Sequence, residues 1–368
     1  MEKLVYILLL ITSQNLVGQS GNVLYGERNL ESTASSLFFD KFGIIYPAYT
    51  ISDSALKENN FSLSDWYSEN KDQFISISKK YNCSFSSYSI ENCNILNDSI
   101  SSNFTKDVNK RSDFFQSVTF LIHGYRKSYI SKNGDISSVQ GFVNLKDSIS
   151  KIKQNNTLYI EVYWDAMYDC CFSANSQNNK HLFQLFEEAQ INATFTGNSL
   201  KKIVTSIKKS NIIFFSHSLG ARVVVYSLLN IDNKINITPS NQQITICMIA
   251  PAISGNLITD FYYQRNSTVE FNKNDNYKLI IVYNENDFAL RKKDDKFLLF
   301  GPGPYKYGNT SLGCNHNYSI PILEICFKVK YVNSSLKTFD VSSIGKKHHL
   351  ENYCGSIEFE SILKSIYQ

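Results

Sequence analysis

From residue 118 onward, short apolar runs recur along the chain: Val118–Ile122, Leu158–Tyr163, Ile212–Phe215, Ile244–Ile249, Leu279–Tyr283 and Ile322–Val332. The first five are rich in β-branched and aromatic residues. That is the texture of strands buried on both faces of a parallel sheet. The sixth alternates Ile325, Phe327 and Val329 with Lys328 and Lys330, a pattern that predicts a half-exposed edge strand. Between the runs lie helix candidates at Val139–Ile152, Lys180–Gln190, Asn198–Lys209 and Leu219–Asn230, with Asn179 and Asn198 as candidate N-caps. Strands and helices in regular alternation predict an α/β fold with a mainly parallel central sheet and helices on both faces. Before residue 110 the chain is polar and weakly patterned. Within that stretch Trp66–Tyr81 reads as a helix with Phe74, Ile75 and Ile77 on its apolar side.

In such sheets function gathers at the carboxyl ends of the strands. There one segment stands out: Ile212-Ile-Phe-Phe215, then Ser216-His217-Ser218-Leu219-Gly220, then a helix. A serine on a sharp strand-to-helix turn is held exposed, and the backbone N–H after it can stabilise an oxyanion. The turn favours small residues two before and two after that serine. Gly220 meets the second need. Ser216 stands where the G-x-S-x-G pattern has glycine.

On these residues the chain resembles the α/β-hydrolase superfamily, in particular secreted serine-hydrolase-like proteins, from about Val118 to the end. Other segments fall in the same order. Val118–Ile122 with His123-Gly124-Tyr125 is similar to the strand and H-G turn that completes the oxyanion hole. Tyr163-Trp164-Asp165 is similar to the end of the next strand, and Ile249-Ala250-Pro251 to the turn after the strand that follows the elbow. Tyr283–Leu290 is similar to the loop that carries the acid, and Lys346–Leu350 to the one that carries the histidine. The resemblance implies the α/β-hydrolase fold and a triad of Ser218, Asp287 and His348. It also implies backbone N–H groups of Tyr125 and Leu219 at the oxyanion. Glu285 is the alternative acid and His349 the alternative base; spacing to Tyr353 favours His348. The order serine, acid, histidine is the one this fold uses. The chemistry needs the set because serine is a poor nucleophile until a base takes its proton. His123 reads as part of the H-G turn, His217 as packing beside the elbow, and His181 and His316 as surface residues.

Composition narrows the picture. Charged residues are 19% and the formal net charge is +4, so no clustered basic face argues for a nucleic-acid partner. The N-terminus carries Lys3, the apolar run Leu4–Ile11 and a small-residue stretch up to Ser20, which predicts a signal peptide over 1–20 and a secreted or cell-surface protein. That run is too short to span a membrane, so no integral membrane segment is expected in the mature chain. Residues 21–111 then read as an N-terminal extension contributing edge strands, and 112–368 as the hydrolase domain.

Export makes the eight cysteines candidate disulfide partners. Cys83–Cys93 and Cys314–Cys326 are natural local pairs, Cys170 and Cys171 would take separate partners with Cys354 as one candidate, and Cys247 reads as a buried thiol. Cys314-Asn315-His316 lacks a second ligand pair for zinc. No metal and no cofactor are therefore expected.

The expected function is hydrolysis of an ester or related acyl bond, with a small-molecule or lipid-like acyl substrate. The alternative is a non-catalytic binding or adhesion protein on the same fold. Phe172, Phe183, Phe186, Phe261, Tyr262 and Tyr263 are candidates to line an acyl pocket.

Overall fold

A computed structural model describes residues 33–47, 61–126, 137–152, 156–167, 179–229, 242–259, 277–291, 312–330 and 333–367. The expected signal peptide, Cys170, Cys171, Phe172, Phe261, Tyr262 and Tyr263 lie outside them, as do the side chains of His181 and Phe183.

Five apolar runs form strands at their expected places: β2 (Ser117–Ile122), β3 (Thr157–Tyr163), β4 (Asn211–His217), β5 (Gln243–Ile249) and β6 (Tyr277–Tyr283). They join β1 (Ala34–Phe38) and β7 (Ser335–Asp340) in one sheet of order β1-β3-β2-β4-β5-β6-β7. Every pairing in it is parallel. The inner strands are buried on both faces, which is why they read as continuous apolar runs.

Of the edge strand expected at Ile322–Val332, all the described residues, 322–330, are instead part of helix α8 (Ser319–Lys330). Ile320, Leu323 and Phe327 are buried at helical spacing, whereas Ile325 is 69% exposed. The edge strand comes later, as β7, whose residues are half-exposed or exposed and carry little apolar signal.

Other boundaries differ from expectation too. Trp66–Tyr81 is two helices, α1 (Leu63–Glu69) and α2 (Lys71–Lys80). Asn70 breaks them by turning both its N–H and its side-chain amide onto the Trp66 carbonyl. The long α3 (Ile90–Ser112) follows, with Cys93, Leu96, Ile100, Phe104 and Val108 as its buried stripe. Among the described residues, the segment before β2 therefore supplies one edge strand and three helices. Lys180–Gln190 and most of Asn198–Lys209 lie in a single helix, α5 (Asn179–Ser206), which ends three residues before Lys209, so Asn198 caps nothing. The polar stretch between them stays helical because its side chains are used. Thr194 donates to the Gln190 carbonyl and accepts from Arg222, and Asn192 donates to the Asp165 carbonyl.

The remaining helices are α4 (Ser138–Ser150), α6 (Gly220–Leu228), α7 (Gly255–Thr259), α9 (Leu350–Cys354) and α10 (Ile357–Tyr367). Helices α3, α5 and α6 layer one sheet face, where Phe120 and Phe214 stack at 4.6 Å. The opposite face is more polar. There Lys146 of α4 pairs with the buried Glu161 of β3 at 2.8 Å, Tyr163 donates to the same carboxylate, and Lys278 of β6 reaches the Ser365 carbonyl of α10.

The expected disulfides do not form among the described residues. Cys83, Cys93, Cys247, Cys326 and Cys354 are thiols, and the Cys314 thiol donates to the Leu290 carbonyl. Cys83 lies 3.2 Å from Ser99 Oγ, well along α3 from Cys93, so the two sulfurs are not brought face to face. Cys247 is fully buried, as its apolar surroundings predict.

Candidate active site

The carboxyl ends of β2, β4, β5 and β6 meet in one place. At the end of β4 the chain turns into α6 through Ser218, whose φ is +52°, in the left-handed region. A non-glycine residue adopts that conformation only under constraint. The Ser218 N–H donates to the Ile249 carbonyl at 2.9 Å, and its own carbonyl accepts from Ala221 and Ala252. Two glycines make room. A Cβ on Gly220 would lie 2.6 Å from the His123 carbonyl oxygen, and one on Gly124 would lie 2.8 Å from Ser218 Cβ. The H-G turn after β2 therefore passes directly over the elbow serine. Ser216, where the pattern has glycine, is accommodated, but its hydroxyl is buried with no hydrogen-bond partner among the described residues.

Ser218 Oγ lies 3.0 Å from His348 Nε2, and His348 Nδ1 lies 2.7 Å from Asp287 Oδ2. An ionised carboxylate can only accept, so Nδ1 carries the proton and the Nε2 lone pair faces Ser218. Asp287 is wholly buried in the loop after β6. Its Oδ1 accepts from the N–H groups of Ala289 and Leu290, and its Oδ2 also accepts from Tyr353 Oη at 2.9 Å. Glu285, the other acid considered, is turned away: it accepts from Asn315 Nδ2. His349 is exposed and stands at the N-terminus of α9.

His123 is fixed within the H-G turn. Its Nδ1 donates to the Gly124 carbonyl, its Nε2 accepts the Trp164 N–H, and its ring stacks on Trp164 at 5.6 Å. His217 does more than pack. Its Nε2 donates to the His348 carbonyl at 2.8 Å, and the two rings are 5.1 Å apart. Asn284, buried at the end of β6, donates through Nδ2 to the carbonyls of Gly345 and Lys347 and so pins the histidine loop. Neither contact was legible beforehand: a histidine beside an elbow and an asparagine in an Asn-rich chain carry no signal of their own. Of the expected oxyanion donors, the Leu219 N–H lies just after Ser218 and finds no backbone acceptor among the described residues. Tyr125 lies in the turn above and packs edge-on against Phe186 at 5.2 Å. No cluster of His, Cys, Asp or Glu among the described residues could hold a metal ion.

A parallel sheet of this order, with a left-handed serine elbow after its central strand, is the α/β-hydrolase fold. No protein-family model matches the chain, and no curated protein matches its sequence. Solved structures similar to it include three hydrolases. One is described as a cell surface hydrolase from Lactobacillus plantarum WCFS1, at 10% identity and a TM-score of 0.35, covering 68% of this chain and 91% of that one. A second is described as a hydrolase from Agrobacterium vitis S4, at 9% identity and 0.31, covering 69% and 88%. The third is a dienelactone hydrolase-like promiscuous phosphotriesterase from metagenomic libraries, at 5% identity and 0.32, covering 68% and 87%.

Proposed function

We propose that the protein is a secreted serine hydrolase that cleaves an ester or related acyl bond. The observation that carries this reading is the unbroken line from Ser218 Oγ to His348 Nε2 at 3.0 Å and from His348 Nδ1 to Asp287 Oδ2 at 2.7 Å. Ser218 Oγ attacks the substrate carbonyl carbon while His348 Nε2 takes its proton. Asp287 stabilises the resulting imidazolium without itself taking the proton. The tetrahedral oxyanion is held by the N–H groups of Leu219 and Tyr125, each such donor contributing about 2.7–4 kcal/mol to lowering the barrier. The imidazolium then protonates the leaving alcohol, and the acyl group stays on Ser218. Water, deprotonated by the same ring, releases the acid and restores the serine.

The aromatic Tyr125–Phe186 contact beside the H-G turn favours an apolar acyl compound. The charged start and apolar run at the N-terminus support export. Among the described residues no helix is long and apolar enough to cross a membrane.

The test is labelling with a fluorophosphonate. Wild-type protein should be modified at Ser218, located by peptide mass spectrometry, and Ser218→Ala should take up none. A folded wild type that stays unlabelled, and that turns over none of a chain-length series of p-nitrophenyl esters, would favour the binding-protein alternative.

A further inference from the structure

Asp287 Oδ2 serves two side-chain donors at once, His348 Nδ1 at 2.7 Å and Tyr353 Oη at 2.9 Å. Tyr353 sits on α9, five residues beyond the histidine, and is completely buried. Its ring packs against that of His217 at 6.4 Å. Burial, and after it the neighbouring Asp287 charge, push the phenol well above its usual pKa, so it stays a neutral donor throughout the working pH range. The hydroxyl has been taken out of water to meet a carboxylate that already accepts two backbone N–H groups on its other oxygen.

A hydrogen bond to the charged form of an acid lowers that acid's proton affinity, and the oxygen divides its charge among its donors. The charge left for the imidazolium depends on how many donors share that oxygen. We infer that Tyr353 is a positioning residue that sets the basicity of His348 through Asp287 Oδ2 and holds that oxygen in line with Nδ1. This rests on the serine-hydrolase reading of the same site.

Other ionisable groups lie on the segments that meet at the ring. His217 faces it from the end of β4 at 5.1 Å. The Cys314 thiol, pushed up to about 12 chiefly by burial, lies near Asp287. Lys346, Lys347 and His349 flank it on its own loop, with Glu351 in the first turn of α9 and Glu285 on the acid loop. None of them donates to Asp287 Oδ2.

Tyr353→Phe keeps the ring and deletes the hydroxyl that donates to Asp287 and also meets Asn284. The carboxylate then gives more of its charge to the imidazolium, and the histidine holds its proton to higher pH. Because the acid limb of kcat/KM reports the base of the free enzyme, that limb should move up by about 0.5–1 pH unit. The plateau should fall by roughly tenfold as the carboxylate loses a tether. A limb that stays where it is in a folded, active variant overturns the inference, because a purely structural tyrosine would change stability alone.

If Tyr353→Phe loses its cooperative thermal transition, proton NMR of the wild type decides. A slowly exchanging Tyr353 hydroxyl proton with a nuclear Overhauser contact to the His348 ring is expected, and its absence overturns the inference. A wild type that neither hydrolyses esters nor labels at Ser218 fails at the earlier step and takes this inference with it.

Discussion

Ser216 shows how much a single position in the elbow can vary. It occupies the place of the first glycine in the pattern, its backbone lies in β4, and its hydroxyl is buried without a partner among the described residues. A buried hydroxyl that makes no hydrogen bond carries its desolvation cost uncompensated. Ser216→Ala should therefore stabilise the protein by about 0.5–1 kcal/mol, seen as a higher urea midpoint at unchanged slope. Ester turnover should be retained, because Ser218 keeps its φ and its bond to the Ile249 carbonyl. Ser218 and Asp287 are the opposite kind of residue. The left-handed backbone of Ser218 is held by surrounding packing, and both carboxylate oxygens of Asp287 are hydrogen-bonded.

Among the elements, the histidine is held by neighbours rather than by its own segment. It sits in the connection between β7 and α9, where no strand or helix fixes it, and three side chains from elsewhere restrain it. Asn284 at the end of β6 bonds the Gly345 and Lys347 carbonyls, His217 at the end of β4 bonds the His348 carbonyl, and Tyr353 of α9 bonds the shared acid. Asn284→Ala would leave two loop carbonyls without their donor and let the ring drift from Ser218. The expected result is a fall in kcat of about 10²-fold with a smaller change in KM, since misplacement acts on the chemical step more than on binding. A thermal melt should show a loss of about 1–3 kcal/mol. An unchanged kcat would mean that the loop holds its shape without the clamp.

For the whole molecule, pH acts on the fold as well as on the site. Asp40, just after β1, is wholly buried and pushed up to about 7 by that burial, although the N–H groups of Phe42, Ile44 and Leu63 bind its carboxylate and oppose the rise; Asp165 adds to it. A carboxyl with a raised folded pKa binds its proton more tightly in the native state. Its contribution to stability is therefore complete below about 4 and is lost as pH rises towards 7. The Tm of the wild type minus that of Asp40→Asn should fall across that window and level off above it. A difference that is flat across the window would mean that Asp40 is ionised throughout.

The sequence by itself determined the strands β2 to β6, because a strand buried on both faces must be apolar along its whole length and so announces itself. It also determined the elbow: a serine between an apolar strand and a helix, with glycine two positions on, is local chemistry. The acid could be narrowed only to Asp287 or Glu285, and the base to His348 or His349. The edge strand β7 and helix α3 were not legible, since both are largely polar and gain their buried side only from what packs on them. Spacing to Tyr353 already favoured His348 over His349, whereas the clamp by Asn284, the bond from His217 and the second donor to Asp287 were decided by tertiary structure alone. Each of these is a meeting of polar groups far apart in the sequence, and hydrophobic periodicity reports which face of an element is buried but not which polar atoms will face one another.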